Sequence, residues 1–375
     1  MFFCLLLKMR ENDLHNLLKQ LASPAAVPAD AWRALLATTD AGQRAQLALF
    51  ARDVAQEHFG KGVFVRALIE ISSHCRNNCN YCGLRCSNRQ AQRYRLTEED
   101  ILECCRQADA LGFNTFVLQG GEDPQQSDGW LANVVAAIRA EFPAKAITLS
   151  VGERSMAGYS LLRSAGADRY LLRHETADAG HYSHLHPANM SLENRLQCLA
   201  NLKALGYQVG SGMMVGSPGQ TVEHLVEDLM LLDRLQPQMI GIGPFIPAAG
   251  TPFEGEQPGC VDDTLLLISI LRLRFPRALI PATTALATLC NDGTQRAILA
   301  GANVVMPNFT PLHCRAKYSI YNNKKSNGSE SAQQLDLLAA KLDKIGYRID
   351  FSRGDYDEAE ILNSDLTPPV YDHLP

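Results

Sequence analysis

Residues 65–86 read "VRALIEISSHCRNNCNYCGLRC". The first eight are a short run rich in Val, Ile and Leu, the pattern of a strand. Directly behind it come Cys75, Cys79, Cys82 and Cys86, four of the chain's 11 cysteines. If that strand opens a series of parallel βα units, the loop after it lies on the face where such units gather their active sites. The rest of the chain supplies the series. From Phe64 onward, apolar runs alternate with helical patterns, as βα units do. Eight runs qualify: "VRALIEIS" (65–72), "TFVLQG" (115–120), "AITLSVG" (146–152), "RYLLRHE" (169–175), "QVGSGMMVG" (208–216), "MIGIGPFIP" (239–247), "LIPATTAL" (279–286) and "NVVMPN" (303–308). Eight strands close a barrel, so the expected fold class is α/β, a full (βα)8 TIM barrel.

The first helix of the series shows the local logic. Thr97 with Asp100 three residues on is a capping-box pattern, Ile101, Cys104, Cys105, Ala108 and Leu111 recur at helical spacing, and Gly112 ends the run. Before the barrel, residues 10–60 read as two or three helices broken at "SPAAVPAD" (23–30). After it, "YNNKKSNGSES" (321–331) is polar and rich in turn residues, and "AQQLDLLAAKLDKIG" (332–346) reads as a last helix. The expected organisation is an N-terminal helical extension over 1–60, the barrel over 61–310, and a lid segment, polar loop and terminal helix over 311–375.

Composition narrows the function. A chain of 375 residues exceeds one ordinary domain, but α/β barrels run to about 250 residues as one unit. With 46% hydrophobic residues it can bury a large core without disulfides. The net charge of −5 shows no basic excess for a nucleic-acid partner. The opening "MFFCLLLK" is too short to span a bilayer and lacks a cleavage site, and Met9 is a second candidate start. No membrane association and a cytoplasmic location are expected. Cysteines in such a chain bind metal or stay free more often than they form bridges.

The spacing Cys75-x3-Cys79-x2-Cys82 lets three thiolates wrap three corners of a cubane [4Fe–4S] cluster and leaves the fourth iron without a protein ligand. An open iron chelates the amino and carboxylate groups of S-adenosylmethionine, and an electron from the reduced cluster then releases a 5′-deoxyadenosyl radical. The competing reading is a structural zinc site, which needs a fourth ligand; His74 and Cys86 are the nominal candidates. Cys86 reads more naturally as a small buried residue.

The loop "CRNNCNYCGLR" (75–85), with Tyr81 before the last ligand, resembles that of radical SAM enzymes. More narrowly, "YRLTEEDILE", "VLQGGEDP", "ADRYLLRHETA", "GSPGQT", "GIGPFIP", "IPATTA" and "GANVVMPNFTP" are similar to the [FeFe]-hydrogenase maturase HydE family from about residue 60 to about residue 320. Methylornithine synthase of pyrrolysine biosynthesis is the nearest rival and biotin synthase a more distant one. Ala285 stands where the methylornithine rival carries an acidic residue.

The resemblance implies roles. Cys75, Cys79 and Cys82 would hold one [4Fe–4S] cluster per chain, since "YNNKKSNGSES" offers no ligand set for the accessory cluster of some relatives. Tyr81, Gln119, Gly120, Gly121, Glu122, Glu175, Arg195, Met214 and Gly216 would contact S-adenosylmethionine: the glycine turn at its amino group, Arg195 at its carboxylate, Glu175 at its ribose, and Met214 with Gly216 and Gly219 near the adenine. Thr283, Thr284, Arg315, Tyr318 and Tyr321, with Met306 to Asn308, would line the substrate chamber. The implied substrate is a small organometallic one, the iron carbonyl–cyanide–cysteine species from the maturase HydG. The implied partners are the scaffold HydF and a low-potential electron donor, flavodoxin or ferredoxin. A non-catalytic cluster scaffold is the reading from another class.

Overall fold

A computed structural model describes residues 11–325 and 335–356. The opening "MFFCLLLK" with Met9, the polar stretch beyond Lys325, the start of the last predicted helix and the residues after Tyr356 lie outside the described residues.

The strands are Gly62–Val65 (β1), Ala67–Ser72 (β2), Thr115–Gly120 (β3), Ala146–Ser150 (β4), Arg169–Leu171 (β5), Gln208–Ser211 (β6), Met214–Val215 (β7), Met239–Ile240 (β8), Gly243–Pro244 (β9), Val304–Val305 (β10) and Arg348–Asp350 (β11). Six form one parallel sheet in the order β2-β3-β4-β5-β6-β8. Closure runs through isolated parallel bridges from Met239 to Leu279 and from Pro281 to Val304, then through the parallel pairing of β10 with β1 and a bridge from Asn308 to Leu68. Main-chain bonds follow the same path: Ile240 N donates to Leu279 O at 3.1 Å, Ala282 N to Val304 O at 2.8 Å, and Phe309 N to Leu68 O at 2.7 Å. The chain is therefore a closed eight-position parallel barrel.

The seventh predicted strand is thinner than its sequence suggests. Pro281 has no N–H to give a ladder, and Thr283 already stands before the short helix Thr284–Leu289. Thr284 is thus the first residue of a helix and not a strand residue. The fifth and sixth runs are each split, β6 from β7 and β8 from β9, and the upper pieces pair with each other. Gly212 sits at the first break with φ 153, where a Cβ would lie 2.1 Å from Gly241 O.

Helices cover the outside. Glu98–Ala110 starts at the anticipated capping box, with both reciprocal bonds formed between Thr97 and Asp100. The three N-terminal helices, Glu11–Ala22, Ala29–Leu36 and Ala41–Phe59, contribute Leu14, Leu18, Trp32, Leu35 and Leu47 to the core that holds the barrel residues.

The floor of the barrel is closed from an unexpected direction. β11 pairs in parallel with β1, and the segment after it runs beneath the strands. Asn114 Nδ2 donates to Phe351 O at 2.7 Å, Thr115 Oγ1 to Arg353 O at 2.9 Å, and the fully buried Arg169 to Asp355 at 2.6 Å. A closed floor leaves the C-terminal mouth for chemistry. Trp32 is 0% exposed in the shared core, so Trp32→Ala is expected to lower stability by about 3–5 kcal/mol. Urea unfolding should show that loss within one transition, since helices and barrel share one core.

Candidate active site

The cysteine loop leaves β2 and crosses the mouth without regular structure, so its carbonyls need partners from elsewhere. Arg93 supplies them. Its guanidinium donates to the carbonyl oxygens of Ser73, Leu84 at 2.9 Å and Arg85 at 2.7 Å. A second anchor lies beneath: Asp123 accepts from Ser72 Oγ at 2.6 Å and from Arg95 Nε and Nη2 at 2.6 and 2.9 Å. Asn80 N donates to Leu185 O at 2.8 Å, and Gly83 N to Ile320 O at 2.9 Å. The Gly83 contact admits only glycine, because a Cβ there would lie 2.2 Å from Ser319 O.

Within this frame Cys75, Cys79 and Cys82 are half-buried free thiols that act on one another. Burial pushes Cys82 up to about 12, with Cys75 adding to it. Cys79 is raised by burial and then by Cys82 and Cys75. Thiolates disfavoured in this way are stabilised by metal coordination. Among the described residues no three His, Cys, Asp or Glu side chains are spaced to hold a single metal ion. Three neighbouring thiols with that spacing fit a multi-iron cluster. Cys86 turns outward: it is exposed, not buried as its sequence suggested, and bonds Asn78 Oδ1 at 3.3 Å.

The turn after β3 backs directly onto the loop. A Cβ on Gly121 would lie 2.4 Å from His74 O and 2.7 Å from Cys75 Cβ. Gln119 Nε2 donates to Tyr318 OH at 3.3 Å. Glu122 spends its carboxylate locally, accepting from Arg76 Nε and from Glu153 N, both at 2.9 Å. The main chain of the turn is tied as well, Gly121 O accepting from Asp123 N and Glu122 O from Arg76 N, both at 2.9 Å.

Across the mouth, Glu175 adopts φ 67, a left-handed conformation rare for a residue with a side chain. Glu175 N donates to Gly212 O at 3.1 Å, and its carboxylate accepts from Arg173 Nη2 at 2.8 Å. Beside it, His174, Ser211 and Asp228 form a fully buried group, with His174 Nδ1 2.9 Å from Ser211 Oγ and Nε2 3.2 Å from Asp228 Oδ1. Arg195 is buried, bonds Glu153 Oε1 at 2.6 Å and the Arg173 carbonyl, and lies 5.8 Å over the Tyr182 ring. Burial alone would lower its pKa; Tyr182, Glu153 and Tyr81 outweigh that and hold it charged. Tyr81 OH meets His186 Nε2 at 3.3 Å, and burial with Arg195 lowers His186 to about 3, so its imidazole is neutral.

Met214 packs with Leu185, Phe245 and Phe253, against which Tyr81 also rests. Gly216 has φ 72, and its N–H donates to Gln220 Oε1 at 2.6 Å; Gly219 has φ 78. On the opposite wall Thr283 Oγ1 is buried with no hydrogen-bond partner among the described residues. A Cβ on Gly243 would lie 2.9 Å from that hydroxyl. Tyr318 is buried beside Gln119, and the buried Arg315 donates to Thr310 O at 2.6 Å. Tyr321 is half-buried in the strap that follows. Arg93, Arg95, Asp123 and the His174 group were not singled out from sequence; five arginines between residues 76 and 95, with no Asp or Glu among them, were the available signal.

Gly121→Ala should push the cysteine loop off the β3 turn. The expected result is reconstituted protein that binds markedly less iron than the parent while unfolding at a similar urea concentration; iron assay and circular dichroism together check it.

Residues 69–232 match the Radical SAM superfamily. The chain is 44% identical over 289 residues to the [FeFe] hydrogenase maturase subunit HydE of Thermotoga maritima, covering 77% of this chain and 82% of that protein. It is 31% identical over 317 residues to 3-methylornithine synthase of Methanosarcina acetivorans, covering 83% and 89%. The crystal structure of methylornithine synthase (PylB) superposes with a TM-score of 0.76 at 28% identity, over 89% of this chain and 97% of that one. A closed barrel with three thiols at its mouth, together with the higher identity to the maturase, has one reading: the chain is a radical SAM enzyme and belongs to the HydE family.

Proposed function

We propose that this chain is the HydE-type maturase of [FeFe]-hydrogenase, reductively cleaving S-adenosylmethionine and acting on an iron carbonyl–cyanide–cysteine precursor of the H-cluster. The observation that carries the proposal is the meeting of three thiols, a glycine-backed turn, Glu175 and Arg195 at one mouth of the barrel, in a chain 44% identical to a HydE. Cys75, Cys79 and Cys82 would hold a [4Fe–4S] cluster, one per chain. Bound together, cluster and S-adenosylmethionine supply the electron and the 5′-deoxyadenosyl radical. The residues do the rest. The main chain at Gly120 and Gly121 offers carbonyls to an ammonium group, and Glu175 accepts from ribose hydroxyls. Arg195 presents a charged guanidinium to a carboxylate. Tyr81, Met214, Phe245 and Phe253 give an apolar wall for a purine, with Gly216 keeping the main chain close. A cavity of about 510 Å³ lined by Arg76, Glu122, Glu153 and Asn194 flanks the polar end.

In this reading residues 61–310 form the catalytic barrel, 1–60 an extension and 311–375 the lid and tail. Thr283, Thr284, Arg315, Tyr318 and Tyr321 serve the substrate side. HydG supplies the precursor, HydF receives the product, flavodoxin or ferredoxin donates electrons, and the site of action is the cytoplasm. Among the described residues no helix is long and apolar enough to cross a membrane. The second reading, a methylornithine synthase-like mutase, draws on the superposition with that enzyme. Ala285, buried and without charge, speaks against an amino-acid substrate held at that position.

Reduced, reconstituted protein is expected to form 5′-deoxyadenosine from S-adenosylmethionine, and Cys75→Ala, Cys79→Ala and Cys82→Ala are each expected to abolish it. Full activity in any one of them would overturn the assignment. Cys86→Ala should retain cleavage, because its thiol faces solvent. Iron analysis should give about four irons per chain; methylornithine formed from lysine would favour the second reading.

For the ribose contact, Glu175→Gln is the cleaner variant, since Arg195→Ala also removes the ion-pair partner of the half-buried Glu153. Glu175→Gln should weaken S-adenosylmethionine binding by about 1–3 kcal/mol in equilibrium titration. Arg195→Ala should weaken it at least as much.

A further inference from the structure

Lys324 belongs to the segment after the barrel, yet its ammonium lies inside. The strap that carries it, residues 312–325, crosses the mouth and is tied along its course. Gly83 N donates to Ile320 O at 2.9 Å, Asn322 N to Pro247 O at 3.0 Å, Ala249 N to Asn322 Oδ1 at 2.8 Å, and Lys325 N to Thr288 Oγ1 at 3.3 Å. Amid these ties Lys324 turns inward. Its Nζ sits 2.5 Å from Glu70 Oε1, with the two side chains 9% and 0% exposed, and 5.2 Å over the Tyr318 ring. Glu70 stands on β2 in register with Gln119 of β3, whose amide reaches Tyr318 OH. The lysine head therefore lies inside the barrel at the level of Gln119, one residue before the glycine turn.

A pin for the strap would need less than this. The strap is already held by the four uncharged ties above, and a buried ion pair adds little stability over an apolar pair of similar size. The donors do not balance either. Glu70 has both oxygens engaged, one by Lys324 and the other by Asn308 Nδ2 at 2.9 Å. An ammonium carries three N–H donors. Among the described residues Glu70 is the one hydrogen-bond acceptor of Lys324, and the Tyr318 face meets charge without accepting a full hydrogen bond. Among the described residues, two donors of this side chain, nine-tenths buried, meet no hydrogen-bond acceptor. Buried cationic donors are best met by an anionic oxygen.

We propose that Lys324 is a ligand-binding residue: its remaining donors receive a carboxylate of the small molecule that occupies the barrel, while Glu70 holds the ammonium in place. Because Lys324 rides on the strap, occupying the chamber and keeping the mouth closed become one event. The inference rests on the reading of the barrel interior as the substrate chamber.

Two probes that differ only in the carboxylate test it: S-methyl-L-cysteine and its carboxamide, titrated by calorimetry into reconstituted protein saturated with S-adenosylmethionine. The parent should prefer the carboxylate by about tenfold or more, the scale of one charge-assisted hydrogen bond. Lys324→Met should erase the preference. Glu70→Gln, which keeps the lysine and removes only its partner's charge, should retain or increase it. Equal loss in both variants would mean a structural pin and overturn the proposal, as would a parent that binds neither probe or shows no preference. S-adenosylmethionine cleavage by the same preparations separates the two readings. Intact cleavage with no preference refutes the role of Lys324 alone, and a retained preference without cleavage refutes the proposed function alone.

Discussion

Asp123 is a carboxylate with no exposed side-chain surface, and a buried charge of that kind persists only where partners replace water. Arg95 and Ser72 are those partners, and each comes from a different place: Ser72 ends β2, Arg95 lies on the return from the cysteine loop, and Asp123 sits in the turn after β3. One buried charge thus fixes the start of the loop, its end and the turn behind it relative to one another. Burial alone would raise the Asp123 pKa; Arg95 and Ser72 outweigh it and hold the group below its ordinary value. A carboxylate depressed in the fold contributes stability that is present above its unfolded pKa and is lost as pH falls through its folded value. Acid therefore acts directly on the joint beneath the three thiols.

On that joint the site is built by close approach. Gly121 lets the β3 turn touch the loop at Cys75, Gly83 lets the strap touch it from the other side, and Gly212 lets the broken fifth strand close on Gly241. Side chains would fill each of these gaps, so the glycines are where backbone meets backbone or ligand. Glu175 is left-handed too but keeps its side chain, as Gln236 and Asn323 also do. Its neighbour His174 is wedged between Ser211 and Asp228 with no exposed surface, and such over-determined surroundings are what sustain a strained conformation.

The eight-unit alternation, the capping box at Thr97 and the cysteine spacing were legible because each is a local pattern whose physics operates within a few residues. What was not legible depended on distant segments. The seventh strand reads as a strand in composition, but Pro281 and the helix begun at Thr284 leave it only bridges. β11 and the floor contacts of Arg353 and Asp355 come from a tail whose polar sequence says nothing of the barrel beneath which it folds. Arg93 looked like one of several loop arginines; only the three-dimensional loop reveals that it collects carbonyls. Lys324 stood in a stretch read as polar loop, and its burial follows from Glu70, 254 residues earlier in the chain.

The two halves of the barrel are held differently, and the difference matches the demands on each wall. β2 to β6 and β8 form a continuous hydrogen-bonded sheet; the loops after its strands carry the thiols, the glycine turn and Glu175, and the helix Leu192–Ala204 that follows carries Arg195. In the proposed function the three thiols hold a cluster, which needs geometry fixed to fractions of an ångström, and a rigid sheet with locked second partners provides it. The seventh position is joined to both neighbours by single bridges and interrupted by Pro281, whereas the eighth pairs with β1 over only two residues before Pro307, and a strap outside the sheet roofs both. Fewer ladder bonds mean that local opening there costs less. Thr283, Asn308, Tyr318 and Lys324 belong to this side. In the proposed function this is the substrate side, and a wall that admits a small molecule and then closes on it is better made of such segments than of a full ladder, because opening them leaves the hydrogen-bonded sheet of β2 to β6 and β8 intact.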